Sequence, residues 1–340
     1  FLICLFPIEP YPTTRIFNIL YFYCQNIIVI FYMPIILNDD ISQQNGTIMS
    51  KKSTFEQKIT AELKNKSLLI TGGAGSIGSA LVKKILQYPV KSVRILDINE
   101  HSLFTLKREL DDKRVRYLLG NILNRDRVEM AGSNIDIVIH CAAIKNIEIS
   151  EFNPIETIET NVDGVVNLIK MCMTQKPKKF LNISTDKAAD SSTLYGTTKL
   201  LGEKLTSWAG NHIMSTKFAT LRFGNVIETR GNVFEVWRSE LENNQPLSIT
   251  DPTSERFFFH SDEAINFILK CLLITNNGEL YVPKMKSYKI KDLAKEYSKK
   301  HKIIGLRQGE KLKETLITES EKINAVEKSD MWIIKSYKPL

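Results

Sequence analysis

A Rossmann-type α/β fold, a doubly wound parallel sheet with a smaller, partly interleaved C-terminal domain, is what this chain predicts, and three observations predict it. Short apolar strands alternate with helical patterns from Ser67 to Phe223, the mark of right-handed βαβ crossovers. The first of these strands runs into a glycine-rich turn, Gly72 to Gly78, that opens a helix. Between Asn182 and Lys199, three polar residues (Thr185, Asp186, Lys187) end an apolar run, and Tyr195 and Lys199 follow at i, i+4. That spacing places both on one face of a helix, beside the strand end where parallel sheets collect ligands.

Taken in order, Lys51 to Lys66 reads as a short amphipathic helix and Ser67 to Thr71 as a strand. Gly72, Gly75 and Gly78 then have the spacing of a nucleotide-binding turn, with Ser76 and Ile77 between them. Missing side chains there let a pyrophosphate approach backbone N–H groups and the positive end of the helix. Val93 to Leu96 is a second strand ending at Asp97. A carboxylate at that point accepts from both ribose hydroxyls of adenosine and repels a 2′-phosphate, which favours NAD over NADP. The competing reading makes Asp97, or Asn99, the cap of the helix from Glu100 to Leu110. Arg116 to Leu119 is the third strand, placing Asn121 and Ile122 at the adenine edge; Ile135 to Ile139 is the fourth. After it, His140-Cys-Ala142-Ala143 offers small side chains beside the cofactor. A long helix from Asn153 to Met173, a fifth strand from Lys179 to Ser184 and a sixth from Ala219 to Phe223 complete the pattern. The expected division is a dinucleotide-binding domain over residues 49–225 and a mainly substrate-binding domain over 226–330. Residues 260–282 return to the first domain, and 331–340 form a tail.

The first 48 residues do not match the rest. Ile16 to Leu37 is almost continuously apolar and long enough to span a bilayer, although Asn18, Gln25, Asn26 and Pro34 interrupt it. The expectation is an over-extended reading frame, because Met49-Ser-Lys-Lys-Ser53 opens a sensible soluble start. A genuine membrane segment is the competing reading, and membrane association is expected only in that case; otherwise a cytoplasmic location is expected. The net charge of +8 is spread along the chain without a basic block or nucleic-acid motif, so nucleic acid is not an expected partner. Five cysteines form no C-x-x-C pair and have no His at metal spacing, so neither a disulfide framework nor a zinc site is indicated.

Thr71-Gly-Gly-Ala-Gly-Ser-Ile-Gly78 together with Tyr195-x-x-x-Lys199 resembles the extended short-chain dehydrogenase/reductases. Ser184-Thr-Asp-Lys-Ala188 narrows the resemblance to the nucleotide-sugar 4,6-dehydratases of polysaccharide biosynthesis, especially the inverting UDP-N-acetylglucosamine 4,6-dehydratases. Further matches are Ala142-Ala-Ile-Lys145, Arg222-Phe-Gly-Asn-Val226, Thr229-Arg-Gly231, Arg256-Phe-Phe258 and Gly305-Leu-Arg-Gln-Gly-Glu-Lys311. The resemblance spans roughly Asn65 to Glu321. It implies an NAD-dependent enzyme on a UDP-sugar, with Lys187 as the base at C5 and Asp186 as the acid at the C6 hydroxyl. It also implies that Lys145, Asn225, Arg230, Arg256, Arg307 and Glu310 meet the substrate, and that helices such as 153–173 and 194–208 pair across a two-fold axis in a dimer or larger ring.

The chemistry of the residues points the same way. Tyr195 is a poor base until a cation lowers its pKa, a part assigned to Lys199 and a cationic nicotinamide, while Thr185 holds the sugar hydroxyl in line. Lys187 acts as a base only when deprotonated, which burial and the neighbouring cationic cofactor promote. The competing readings are a 4-epimerase, which has no use for Asp186 and Lys187, and a non-catalytic NAD-binding module. Departures from the family pattern are Ala189-Asp-Ser-Ser192 where Asn-Pro is usual, Asn146 in place of His, Asn121 in place of Asp, and Gln308 in place of Pro.

Overall fold

The computed structural model describes residues 19–24, 27–32 and 45–336. The rest of the N-terminal extension, and residues 337–340 of the expected tail, lie outside the described residues. Within the apolar stretch Ile16 to Leu37, Ile19–Cys24 pairs antiparallel with Ile27–Tyr32. Among the described residues no helix is long and apolar enough to cross a membrane. The lead-in helix spans Asn45–Leu63, earlier at both ends than expected.

Nine strands build the main sheet: β1 (Ser67–Thr71), β2 (Ser92–Asp97), β3 (Val115–Leu119), β4 (Ile137–His140), β5 (Lys179–Thr185), β6 (Lys217–Phe223), β7 (Glu279–Pro283), β8 (Ala325–Glu327) and β9 (Met331–Ile334). Their spatial order is β8-β9-β7-β6-β5-β4-β1-β2-β3. All neighbours from β3 to β7 run parallel, while β8 and β9 complete the edge in antiparallel pairings. Every residue of β1 and β4 is buried, as expected of strands covered on both faces.

One covering layer holds the lead-in helix, α1 (Ser76–Ile85), α2 (Glu100–Leu110) and the helix Ser261–Ile274, whose Ile59, Leu81, Leu106 and Ile268 share one core. The opposite layer holds α3 (Arg125–Gly132), α4 (Gly164–Gln175) and α5 (Leu194–His212), with Val128, Leu168 and Ala209 in a second core. The fold is therefore the doubly wound parallel sheet that the alternation predicts. Its strand order reverses between β1 and β4, and this puts the glycine turn and Cys141–Ala143 at one crevice.

Beyond β6, Asn225–Val226 pairs with Glu255–Phe259, and Glu255–Phe259 pairs in turn with Ser287–Lys289. Leu247–Ile249 pairs with His301–Ile303. Helix Ser261–Ile274 and β7 return to the main sheet between these pieces. Residues 331–334, assigned from the sequence to a tail, are instead β9, flanked by β7 and β8. Four apolar residues with no turn signal after them carried too little pattern to separate a sheet strand from a loose end.

The long helix expected over 153–173 is continuous but changes its winding. Pro154–Ile158 passes through a π turn, Glu159–Asp163, into α4. Ile149, Phe152, Ile155 and Ile158 on this helix and the one before it are largely exposed.

Candidate active site

The crevice at the strand reversal has a volume of about 550 Å3 and is lined by Gly72, Gly75, Ser76, Ile77, Gly78, Asp97, Asn121, Ile122, Ala142 and Ala143, together with Lys145 and Arg230. Gly72 sits at φ +65°, and a Cβ there would lie 2.6 Å from the Ala142 backbone nitrogen. A Cβ on Gly78 would lie 2.3 Å from the Gly72 carbonyl oxygen. Both positions therefore exclude any side chain, and the backbone of the turn is open to a ligand. No side chain caps α1 at Gly75, so its first N–H groups face the crevice mouth as an anion site. The residues present fit the pyrophosphate of a dinucleotide.

Asp97 does not cap α2; Asn99 does, accepting from the Ser102 N–H at 2.8 Å. The Asp97 carboxylate accepts from the Ala74 N–H at 3.0 Å and from the Asn99 N–H at 2.9 Å, which fixes it against the glycine turn. Asn121 accepts from the Leu123 N–H at 2.9 Å, a turn that delivers Ile122 into the buried wall.

The reacting group of residues is built where β5 ends. Thr185 is its last residue, and Asp186–Ala188 form a single 3₁₀ turn. This turn lies against the start of α5, which is capped by Thr193 accepting from the Gly196 N–H at 3.1 Å. Gly196 allows the approach, since a Cβ there would meet the Lys187 carbonyl oxygen at 2.3 Å. The same helix carries Tyr195 and Lys199, both buried. Thr185 Oγ1 donates to Asp186 Oδ1 at 2.9 Å, and Lys187 Nζ donates to the same oxygen at 3.1 Å. Asp186 Oδ2 is buried without a hydrogen-bond partner, an acceptor left over for something the chain itself does not supply. Gly224, from the Arg222-Phe-Gly-Asn motif, leaves the space beside it.

The electrostatics differ from the expectation at two residues. Burial acts to discharge Lys187, as foreseen, but the carboxylates of Asp186 and Glu314 outweigh it and hold Lys187 above its usual range. Lys187 Nζ lies 3.9 Å from Glu314 Oε1, and sequence reasoning gave Glu314 no part. Burial raises the pKa of Tyr195; the cation that opposes this is Lys187, assisted by a side-chain hydrogen bond with Thr185, and not Lys199. Burial also lowers Lys199 to about 8 against the pull of Glu203. His140 is buried beside Lys199, pushed down to about 3 by burial, and its Nδ1 is 2.7 Å from Thr71 Oγ1. Burial keeps the imidazole neutral.

The six residues expected to meet substrate fall into two groups. Lys145 Nζ donates to the Arg230 carbonyl at 2.7 Å, while the Arg230 N–H and guanidinium reach Ser76 Oγ and Ser102 Oγ. These two therefore stand over the dinucleotide crevice. Arg256 pairs with Glu310 at 2.7 Å, Arg307 pairs with Glu148 at 2.8 Å, and Asn225 donates to the Phe257 carbonyl at 3.1 Å. The departures from the family pattern have partners as well. Asp190 pairs with Lys311 at 2.7 Å and Ser192 donates to the Gly309 carbonyl at 2.7 Å, tying the 189–192 segment to the Gly305–Lys311 motif. Asn146 caps the helix Ile147–Phe152.

Besides Glu314, sequence reasoning missed Asn161. Asn161, in the π turn, donates to the Ile144 carbonyl and to Thr198 Oγ1 and accepts from the Ile144 N–H, clamping the Ala142–Lys145 loop to α5. A polar residue in an apolar helical pattern was the available signal.

Comparisons with known proteins agree with this geometry. The family model described as "Polysaccharide biosynthesis protein" matches residues 68–336. The chain is 37% identical to a UDP-N-acetylglucosamine 4,6-dehydratase (inverting) of Campylobacter jejuni, over 75% of this chain and 78% of that one. It is 32% identical to a UDP-glucose 4-epimerase of Rickettsia bellii, over 77% and 80%. The solved structure of Pen from Bacillus thuringiensis superposes with a TM-score of 0.77 at 35% identity, over 81% and 89%. By matched length and by fold, the chain belongs to the polysaccharide biosynthesis protein family, within the extended short-chain dehydrogenase/reductases that comprise nucleotide-sugar dehydratases and epimerases.

Proposed function

We propose that this enzyme is a nucleotide-sugar 4,6-dehydratase that converts UDP-N-acetylglucosamine to a UDP-4-keto-6-deoxy-N-acetylhexosamine with inversion at C5. The observation that carries the reading is the buried Asp186–Lys187 pair, with one carboxylate oxygen unpartnered, beside Tyr195. The dinucleotide held at the glycine turn is NAD in preference to NADP, because the Asp97 carboxylate repels a 2′-phosphate. Gly72, Gly75, Gly78 and Asp97 would hold the dinucleotide, which when bound would supply a hydride acceptor for C4 and the hydride returned to C6.

The chain's own residues move the protons. Tyr195 removes the proton of the C4 hydroxyl, and Thr185 sets the geometry of that contact. With a carbonyl at C4, the C5 proton is acidic, and Lys187 Nζ takes it as the C5–H bond breaks. The C6–O bond breaks with it, and Asp186 gives its proton to the departing oxygen, which leaves as water; when hydride returns to C6 of the resulting 5,6-alkene, a solvent-derived proton enters C5 on the face opposite the one Lys187 deprotonated, which inverts C5. A base and an acid on one turn, 3.1 Å apart, serve an elimination across adjacent carbons.

A second reading, a 4-epimerase, is favoured by the similarity to UDP-glucose 4-epimerases. It requires Tyr195 but gives Asp186 and Lys187 nothing to do. Incubation with UDP-N-acetylglucosamine separates the two. The dehydratase releases a product lighter by one water with a carbonyl at C4; a product of unchanged mass, altered only at C4, rejects the dehydratase.

A further inference from the structure

Glu314 is the buried ionisable group closest to the reacting pair that the mechanism leaves unused. Its side chain is 6% exposed, and it reaches to 3.9 Å from Lys187 Nζ from a segment far downstream of the Asp186 turn. The segment carrying it has no regular structure but is pinned on both sides. The Leu312 carbonyl accepts from the Glu255 N–H at 2.7 Å and from Arg256 Nη1 at 3.1 Å. The Leu316 carbonyl accepts from Arg222 Nη1 at 3.0 Å. A carboxylate held this firmly at the only ammonium of the acid–base turn is placed by the fold and is not a loose surface charge.

Resting on the dehydratase reading, we propose that Glu314 is a positioning residue: its carboxylate shares the Lys187 ammonium with Asp186 and governs when Lys187 releases its proton to become the C5 base. Two carboxylates then face one ammonium. The other charged or titratable groups in reach are Tyr195 across from Lys187, and Arg256 and Lys311 across from Glu314. Burial holds the Glu314 carboxyl above the usual range, with Asp186 adding to it and Lys187, Arg256 and Lys311 opposing. An ionised Glu314 keeps the proton on Lys187; a neutral one lets it move the 3.1 Å to Asp186. That transfer turns the resting ion pair into the base and acid that the elimination needs, with no net gain or loss of protons by the pair.

The test uses the full chain loaded with NAD, as wild type, Glu314→Gln and Glu314→Asp. Nitrogen-15 NMR of labelled lysine, with Lys187 assigned through Lys187→Met, reads the titration directly, and the pH profile of turnover reads its consequence. In Glu314→Gln, Lys187 titrates at lower pH than in wild type. The rising limb of its pH profile moves the same way, so one pH unit below the wild-type midpoint the variant keeps at least about three times the fraction of its maximal rate that wild type keeps. Glu314→Asp, which keeps the charge, stays near wild type on both readouts. An unchanged Lys187 titration in Glu314→Gln, or an equal shift in both variants, overturns the proposal and leaves Glu314 a packing residue. A wild-type protein that forms no 4-keto-6-deoxy sugar contradicts the dehydratase reading alone, because the lysine titration still decides the part of Glu314.

Discussion

Lys187 is the residue whose neighbours decide its chemistry. A buried lysine is ordinarily discharged, yet here two carboxylates within 4 Å hold it charged. On the proposed mechanism, Lys187 becomes a base only when the charge around it changes. Its replacement by alanine is expected to leave NAD binding intact, since its ionic partners Asp186 and Glu314 lie outside the glycine turn, and to lower dehydration by at least about 10²-fold; equilibrium titration with NAD and product NMR check the two halves. Asp186, Lys187, Tyr195 and Lys199 were legible in the sequence because neighbours on one turn, or one helical turn apart, are neighbours in space. Glu314 and Asn161 were not, since long-range folding alone brings them to the site, and the hold that Asp186 and Glu314 keep on the Lys187 charge was not foreseen because only burial and the cofactor's charge were weighed.

At the scale of elements, the site rests on a buried ionic knot that joins β5, β6, α5 and the C-terminal segment. The Arg222 side chain is fully buried and pairs with Glu203 at 2.6 Å and Glu321 at 2.8 Å, while Ser184 Oγ donates to Glu203 at 2.5 Å. Ser184 directly precedes Thr185, and Glu203 follows Lys199 by one helical turn, so this knot holds the strand end and the helix in register. Arg222→Met leaves Glu203 buried and unpaired and is expected to destabilise the fold by about 3–5 kcal/mol, read from the denaturant midpoint. Burial alone would raise Glu321 above its usual 4.5, but the hydrogen bond and charge of Arg222 bring it below. A carboxyl depressed in the folded state contributes stability that is whole above about pH 4.5 and is lost as pH falls through its folded value. Loss of stability below that pH is therefore expected to be shallower in Arg222→Met than in wild type. The strands and helices of this half were legible from their alternation, whereas the ion pairs were not, because Arg222 reads as one more strand residue until its partners are known.

Across the whole molecule, the sheet from β3 to β6 was foreseen strand by strand, because parallel βαβ units repeat one strong pattern. The portion after β6 was not resolved beyond its interleaving. Its strands are short, three to five residues beyond the two-residue Asn225–Val226, and their pairings cross long stretches of chain, so local periodicity carries little of their arrangement. That portion nonetheless supplies Glu314, which reaches Lys187, and the Arg256–Glu310 pair, so the late chain contributes to the candidate site that the early sheet carries.

The central claim is that Lys187 removes, and Asp186 completes the removal of, a proton and a hydroxyl from adjacent carbons of a 4-keto sugar. NMR of the product formed from UDP-N-acetylglucosamine in deuterated water tests it most directly. A deuterium at C5 of a 6-deoxy product, with the original C4 hydrogen now on C6, is the predicted result. A product that keeps its C6 hydroxyl and every carbon-bound hydrogen would contradict it.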